Sequence, residues 1–345
     1  MKLNFKRSCN YLIPIALLLM AGGACSENEP YSEKVIFMAG YKAQANLPFV
    51  SAYVAQEKGF FQEQGLNVEI RHASSGEHIK LLMSGDVDFT TSAATSVLKY
   101  RSDPGLPIVS FALFGQRSQQ AFAALSKSGM NTPKDWKGKT FGYKVFPPPE
   151  YLAILKANEI NRSEITEIQV GFDPRILTEG KIDILAVFNS NEPDTIRKLG
   201  FDVDIWTEAD FGIPGMGLTY VATQELVNND PGKVTRFLKA TMKGLLYASE
   251  NKEDALDIVM KYAPDQDRSH QLFMLETELE DAISESTTKN GLGWMTDKQW
   301  KASYEQLLEF GALAKDFDYR EAYTNKFIET IYSASAHEAP TLKWP

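Results

Sequence analysis

Cysteine is almost missing from this chain: two residues, Cys9 and Cys25, among 345. A disulfide-stapled scaffold is thereby excluded. Basic residues are in deficit, 36 Lys and Arg against 45 Asp and Glu, for a net charge of −9. That balance excludes the broad basic footprint of a nucleic-acid binder. Runs of about 20 apolar residues, as a membrane span requires, do not occur. Phosphate-loop, dinucleotide and nucleophile-elbow motifs are absent too. The four histidines offer no metal-ligand spacing. His72 and His78 flank Ala73-Ser-Ser-Gly-Glu77 and read as a solvated loop; Glu276, Glu278 and Glu280 read as a solvated helix face. No metal and no cofactor is expected.

What is present begins with an address. Lys2, Lys6 and Arg7 precede an apolar run, Leu12 to Met20, then Ala21-Gly-Gly-Ala24 and Cys25. This is the pattern of a secretory signal peptide over 1–24. Small residues directly before a cysteine resemble a bacterial lipoprotein cleavage site, so Cys25 is the expected lipidation site and 25–33 a polar tether. The expected location is the bacterial cell envelope, on the outer side of a membrane and held there only by the lipid. Cleavage would also remove Cys9 and leave no intrachain disulfide.

The body alternates apolar strands and helical patterns. Strand-like segments are 35–39, 67–71, 87–89, 107–114, 139–143, 167–170 and 182–188. Helical periodicity starts near Pro48 and stops at Gly59. Gly85-Asp-Val-Asp88 and Gly180-Lys-Ile-Asp183 match as phrases, each following a short helix and opening a strand. From Asp230 onward the pattern is helical, with helices fitting 253–261, 266–286 and 297–314. Strands separated by helices predict parallel pairing and an α/β fold.

Polar and aromatic residues collect after the predicted strands, where open α/β sheets bind ligands. The candidate ligand-binding residues are Gln44, Asn46, Phe49, Ser92, Ala93, Gln116, Arg117, Gln120, Tyr143, Phe146, Phe172, Asp173, Asn189, Asn191, Glu192 and Tyr220. Glu192 offers an acceptor for a ring or amino N–H, or a charge that stabilises a helix N-terminus. Tyr143, Phe146, Phe172 and Tyr220 offer stacking faces. Arg117 offers a grip on an anion. Amide-rich lining with aromatic platforms favours a neutral heterocycle over a simple sulfonate.

The segment Tyr53-Val-Ala-Gln-Glu-Lys-Gly-Phe-Phe-Gln-Glu-Gln-Gly-Leu-Asn-Val-Glu-Ile70 resembles the substrate-binding proteins of ABC importers for thiamine pyrimidine precursors and alkanesulfonates. The yeast thiamine-pyrimidine synthase shares their fold. The likeness continues through Trp136-Lys-Gly-Lys-Thr-Phe-Gly-Tyr143 and Asn229-Asp-Pro-Gly-Lys-Val-Thr-Arg-Phe-Leu-Lys-Ala240. It implies a two-lobe periplasmic-binding-protein fold (type II), a cleft between lobes, and crossovers near 121–126 and 217–223. Lobe 1 would be 34–122 with 222–345, and lobe 2 123–221. The implied function is that of a monomeric receptor handing a small heterocycle to ABC permease subunits. A thiamine pyrimidine precursor comes first, then riboflavin, then an alkanesulfonate-type anion. The rival from another class is the synthase, which needs a lysine for an internal aldimine, a histidine and a cysteine-rich stretch. Ser92 and Ser96 stand where the lysine and histidine are expected, and no cysteine lies near Pro214-Gly-Met-Gly-Leu218, so no enzyme is expected. A surface adhesion or sensory module on the same fold is a third possibility.

Overall fold

The computed structural model describes residues 32–212 and 215–335. The expected leader, Cys25 and the tether as far as Tyr31 lie outside the described residues. The tether was expected to run through residue 33, but Glu33 already pairs with Leu66. Its carboxylate also meets Lys233 at 3.1 Å and Arg236.

Among the described residues, ten strands form two five-stranded sheets of the same design. In chain order they are β1 (Glu33–Ala39), β2 (Leu66–His72), β3 (Phe89–Ala93), β4 (Ile108–Leu113), β5 (Gln120–Leu125), β6 (Thr140–Tyr143), β7 (Thr166–Gln169), β8 (Ile184–Phe188), β9 (Val203–Thr207) and β10 (Leu218–Thr223). The first sheet runs β2-β1-β3-β10-β4 and the second β7-β6-β8-β5-β9. In each, three parallel strands meet a fourth, antiparallel one: β10 against β3 and β4, β5 against β8 and β9. The expected parallel pairing holds for β2-β1-β3 and β7-β6-β8, and the segments expected as crossovers supply the antiparallel strands. Residues 121–126 and 217–223 fall largely in β5 and β10. The chain changes sheet just before them, after Leu113 and again after Thr207. Gly217 N–H donates to Gly115 O at 2.9 Å, so the two connections touch backbone to backbone. A Cβ at Gly115 would sit 2.9 Å from the Gly217 Cα, an approach only glycine allows.

The matched phrases are one device used twice. Gly85 and Gly180 sit in the left-handed region at φ +77° and +70°, where a side chain would be strained. Three residues on, Asp88 and Asp183 each clamp the neighbouring strand. Asp88 accepts the Ile36 N–H at 2.8 Å, and Asp183 accepts the Thr140 N–H at 2.8 Å.

The long helix Pro231–Glu250 starts at Asp230, whose side chain caps Lys233 N, with proline in the first turn. Its apolar face, including Phe237, Leu238 and Leu245, packs on β1, β3 and the helix Leu47–Glu57. Two expected helices are shorter. The span 266–286 breaks into Arg268–Asp281 and Glu285–Asn290, because Ser284 caps the second through Thr287 N. The span 297–314 ends at Glu309. No helix among the described residues is long and apolar enough to cross a membrane.

Candidate functional site

The C-terminal ends of β1, β3, β6 and β8 converge on one pocket, placed there by the doubly wound layout of both sheets. Of the sequence-predicted residues, Gln44, Asn46, Phe49, Ser92, Ala93, Gln120, Phe146, Phe172, Asn191 and Glu192 line it. The first five come from the first sheet's side and the rest from the second's. The pocket volume is about 150 Å³.

Six predicted residues are elsewhere. Tyr220 is core: it is fully buried among Phe37, Phe111, Phe114 and Phe237, and its OH donates to Pro48 O at 2.6 Å. Leu218, two residues earlier on β10, does line the pocket, whereas Tyr220 lies further along the strand within the core. Tyr143 packs against Phe141 in the second sheet's core. Gln116 is buried and braces the connection, donating to Trp294 O at 3.1 Å and accepting from Gln299 at 3.1 Å. Arg117 is exposed and lies 3.9 Å from Asp281. Asp173 is exposed and paired with Arg175. Asn189 is exposed outside the pocket, its N–H donating to Gln119 O at 2.8 Å.

Sequence reasoning missed Tyr41, His78, Thr91, Tyr100, Lys144 and Phe188. Lys144 follows β6 directly and Tyr41 follows β1 after Gly40, so the strand-end rule that selected their neighbours also marks them. His78 was read as part of a solvated loop, but it is 6% exposed and lines the pocket. Burial lowers its pKa to about 4, so its imidazole is neutral at pH 7. Glu278, read as solvated, is also buried. The loop before His78 is drawn together by Glu77, which accepts N–H bonds from Ser74 and Ser75 at 3.0 and 2.8 Å. Partial burial opposes these bonds, yet the Glu77 pKa falls to about 2. Gly76 of that loop reaches the second lobe, where a Cβ would stand 2.7 Å from Val145 Cγ2.

Charge in the pocket is self-compensated. Glu192 opens the helix Glu192–Lys198 and is 2% exposed, with Pro193 in the first turn. Its Oε1 accepts from Lys144 Nζ and, at 3.0 Å, from Tyr41 OH; its Oε2 accepts the Phe188 N–H at 2.8 Å. Burial works against its charge, but the Lys144 ammonium and the N–H bonds outweigh it and lower the pKa. Lys144 also lies 5.4 Å from the Tyr41 ring centroid. The pocket thus holds a lysine and a histidine after all, though not at Ser92 and Ser96, which both line it. The lysine is paired with the Glu192 carboxylate.

Aromatic pairs join the two sides: Tyr41 with Phe172 at 4.1 Å between centroids, Tyr100 with Phe146 at 5.2 Å. Among the described residues no group of three or more His, Cys, Asp or Glu is placed to hold a metal.

The family profile described as "NMT1/THI5 like" matches residues 46–255. The riboflavin-binding protein RibY of Chloroflexus aurantiacus is 28% identical over 82% of this chain and 83% of its own. The formylaminopyrimidine-binding protein of Halalkalibacterium halodurans is 25% identical over 72% of this chain and 78% of its own. The periplasmic aliphatic sulphonate binding protein SsuA of Escherichia coli superposes with a TM-score of 0.57, at 11% identity, covering 85% of this chain and 91% of that one. At that identity the superposition speaks for the fold alone: two α/β lobes with a cleft between them.

Proposed function

The chain belongs to the NMT1/THI5-like family, and from that membership we propose that it is the solute receptor of an ABC importer for an uncharged, single-ring heterocycle of the thiamine-pyrimidine class. The carrying observation is the pocket itself, which is enclosed by aromatic and amide side chains and neutral overall. Its two charged residues, Lys144 and Glu192, neutralise each other, and His78 is uncharged. A sulfonate or phosphate would find no free cation there, since Arg117 lies outside. A volume of about 150 Å³ is on the scale of a cavity that takes one benzene ring. That suits a pyrimidine better than the fused rings of a flavin.

Similarity to RibY favours riboflavin as the second reading, with the cleft opened wider than here. The binding role rather than catalysis rests on the similar binding proteins and on the serines at positions 92 and 96. The two sheets with their helices act as lobes that close on the ligand, and the lipidated Cys25 tethers the receptor beside its permease.

Mass spectrometry of the compound released from natively purified protein tests the reading. A methylated aminopyrimidine is the expected mass. Riboflavin would favour the second reading, and a sulfonate would overturn both. Calorimetry with the identified compound should show binding without turnover, and scattering should show compaction on binding.

A further inference from the structure

One line of side chains, buried except at Asp194, crosses between the lobes three times and forms part of the pocket wall. It starts at Glu278, which accepts from Asn46 Nδ2, from Leu47 N–H at 2.6 Å and from Ser190 Oγ at 3.2 Å. Asn46 Oδ1 accepts from Gln44 Nε2 at 2.6 Å, and Gln44 Oε1 from Asn191 Nδ2 at 3.3 Å. Asn191 Oδ1 lies 3.0 Å from His270 Nε2, and His270 Nδ1 lies 2.6 Å from Asp194 Oδ2. Gln44, Asn46, His270 and Glu278 belong to the first lobe; Ser190, Asn191 and Asp194 to the second.

Counting donors along this line gives a definite result. Each amide spends its N–H on the residue before it and its oxygen on the residue after it. The two ends are carboxylates. In that direction His270 faces acceptors with both ring nitrogens, so both must carry hydrogen. Flipping the three amides reverses the direction. Asn191 then donates to a bare Nε2 of neutral His270, and Asn46 Oδ1 faces Glu278, which must carry the proton instead. Either way the closed line holds one proton beyond neutral histidine and two carboxylates. All its amides are buried, so water cannot repair a mismatch.

We propose that His270 is a positioning residue that orients Asn191 and Gln44 of the pocket wall, and that closing the cleft takes up one proton shared between His270 and Glu278. The proposal rests on the receptor reading of the pocket and adds its coupling to pH. The charged groups around the line are few. Asp194 and Lys198 face His270 from the second lobe, the two 3.3 Å apart. Asp267 accepts the His270 N–H at 2.7 Å and takes Lys198 at 2.8 Å. Glu253 and Asp257 of the adjoining helix are engaged by Arg268. Thr195 Oγ1 is 3.5 Å from Nε2. Near Glu278 stands Asp281, with Arg117 beyond it. Burial raises the Glu278 pKa to about 7, despite its three donors, which suits a proton that resides there part of the time.

The sign follows from the open form. There the line is cut, and a solvated histidine loses its proton above about pH 6.5. Below that value closure is independent of pH. Above it the closed fraction falls, approaching tenfold per pH unit.

Two measurements on the protein without added ligand test this. Small-angle scattering from pH 5.5 to 8.5 reads the closed fraction, and ¹⁵N spectra of the histidine rings, assigned with His270→Gln, read protonation. Wild type should open as pH rises. Glu278→Gln supplies an amide donor where the proton sat, so the reversed line closes without one. Its closed fraction should be flat above about pH 6.5 and fall below it, where closing must expel the histidine proton, with His270 neutral and protonated on Nδ1 in the closed form. His270→Gln should be open and flat. A wild type without pH dependence, or a Glu278→Gln variant that keeps the wild-type slope, would overturn the proposal. Because neither readout involves a heterocycle, this outcome and that of the ligand-release experiment can fail separately.

Discussion

Glu192 shows how a residue's role changes once its neighbours are known. Its position after an apolar strand and before a proline marks it as facing the cleft, and it does line the pocket. The sequence pattern carries no sign that Lys144, 48 residues earlier, and Tyr41, 151 residues earlier, share its Oε1. Such partners depend on which strand ends the fold brings together. Glu192→Gln therefore acts on stability as well as on binding. Removing one member of a buried pair costs roughly 3–5 kcal/mol, and less here because Lys144 keeps 15% of its surface in water. The ligand-free variant should melt several degrees lower than wild type. The depressed Glu192 pKa stabilises the fold above about pH 4.5, and that contribution is lost as acid protonates the carboxylate. The melting difference should therefore shrink between pH 5 and 3. A constant difference would mean that the pair contributes no charge term. Lys144 itself was missed by one position, in favour of Tyr143. Both stand at the exit of β6, and only the pleat of a known sheet says which one points to the cleft.

At the scale of elements, local patterns carried most of the parallel units. The Gly-x-x-Asp phrases at 85–88 and 180–183 were legible because turn and clamp lie within four residues. Asp183→Ala leaves the Thr140 N–H without its acceptor and should cost about 1.5–3 kcal/mol in denaturant unfolding. Asp183→Asn, which keeps an acceptor, should recover most of it. Helix packing was less legible. Gly244 lies mid-helix, where glycine costs about 1 kcal/mol against alanine, yet a Cβ there would stand 2.2 Å from Ser51 O. The helices Pro231–Glu250 and Leu47–Glu57 meet at this point. Gly244→Ala should thus destabilise by about 2–3 kcal/mol through forced separation, the reverse of its helix-propensity effect. An unchanged unfolding midpoint would show that the helices part freely. The antiparallel strands β5 and β10 were the elements misread. Their short apolar runs, Gln-Ala-Phe-Ala-Ala-Leu and Leu-Thr-Tyr-Val-Ala-Thr, have no local mark of direction. Their partners are fixed by where the chain goes after changing sheet.

For the molecule as a whole, the two-lobe plan was legible from the strand–helix alternation and from the family-like segments. The pocket volume and the ion pairing that argue for ligand class were not, because both arise from the meeting of two lobes. The proposed anchor predicts that Cys25→Ser moves the protein from membranes to the soluble fraction. Acyl chains gain about 0.8 kcal/mol per buried CH₂, and two or more together hold stably. Retention in the membrane fraction would rule out the anchor at this cysteine.

The unequal wiring of the sheets also sets an order of assembly. Every strand of the second sheet lies between Gln120 and Thr207, so that sheet can be completed from one stretch of chain. The first cannot: β10 sits between β3 and β4, and β4 waits roughly a hundred residues of synthesis for β10 to pair with it, a long-range closure that is slow. In pulsed hydrogen exchange during refolding, amides of β5 and β8 should gain protection before those of β3 and β4. A chain that emerges from the ribosome in this order keeps its leading half unfinished until β10 has been made. On the proposed export route, which would thread the chain extended through a membrane, the late strand would act as a timer that holds folding back until transit is under way.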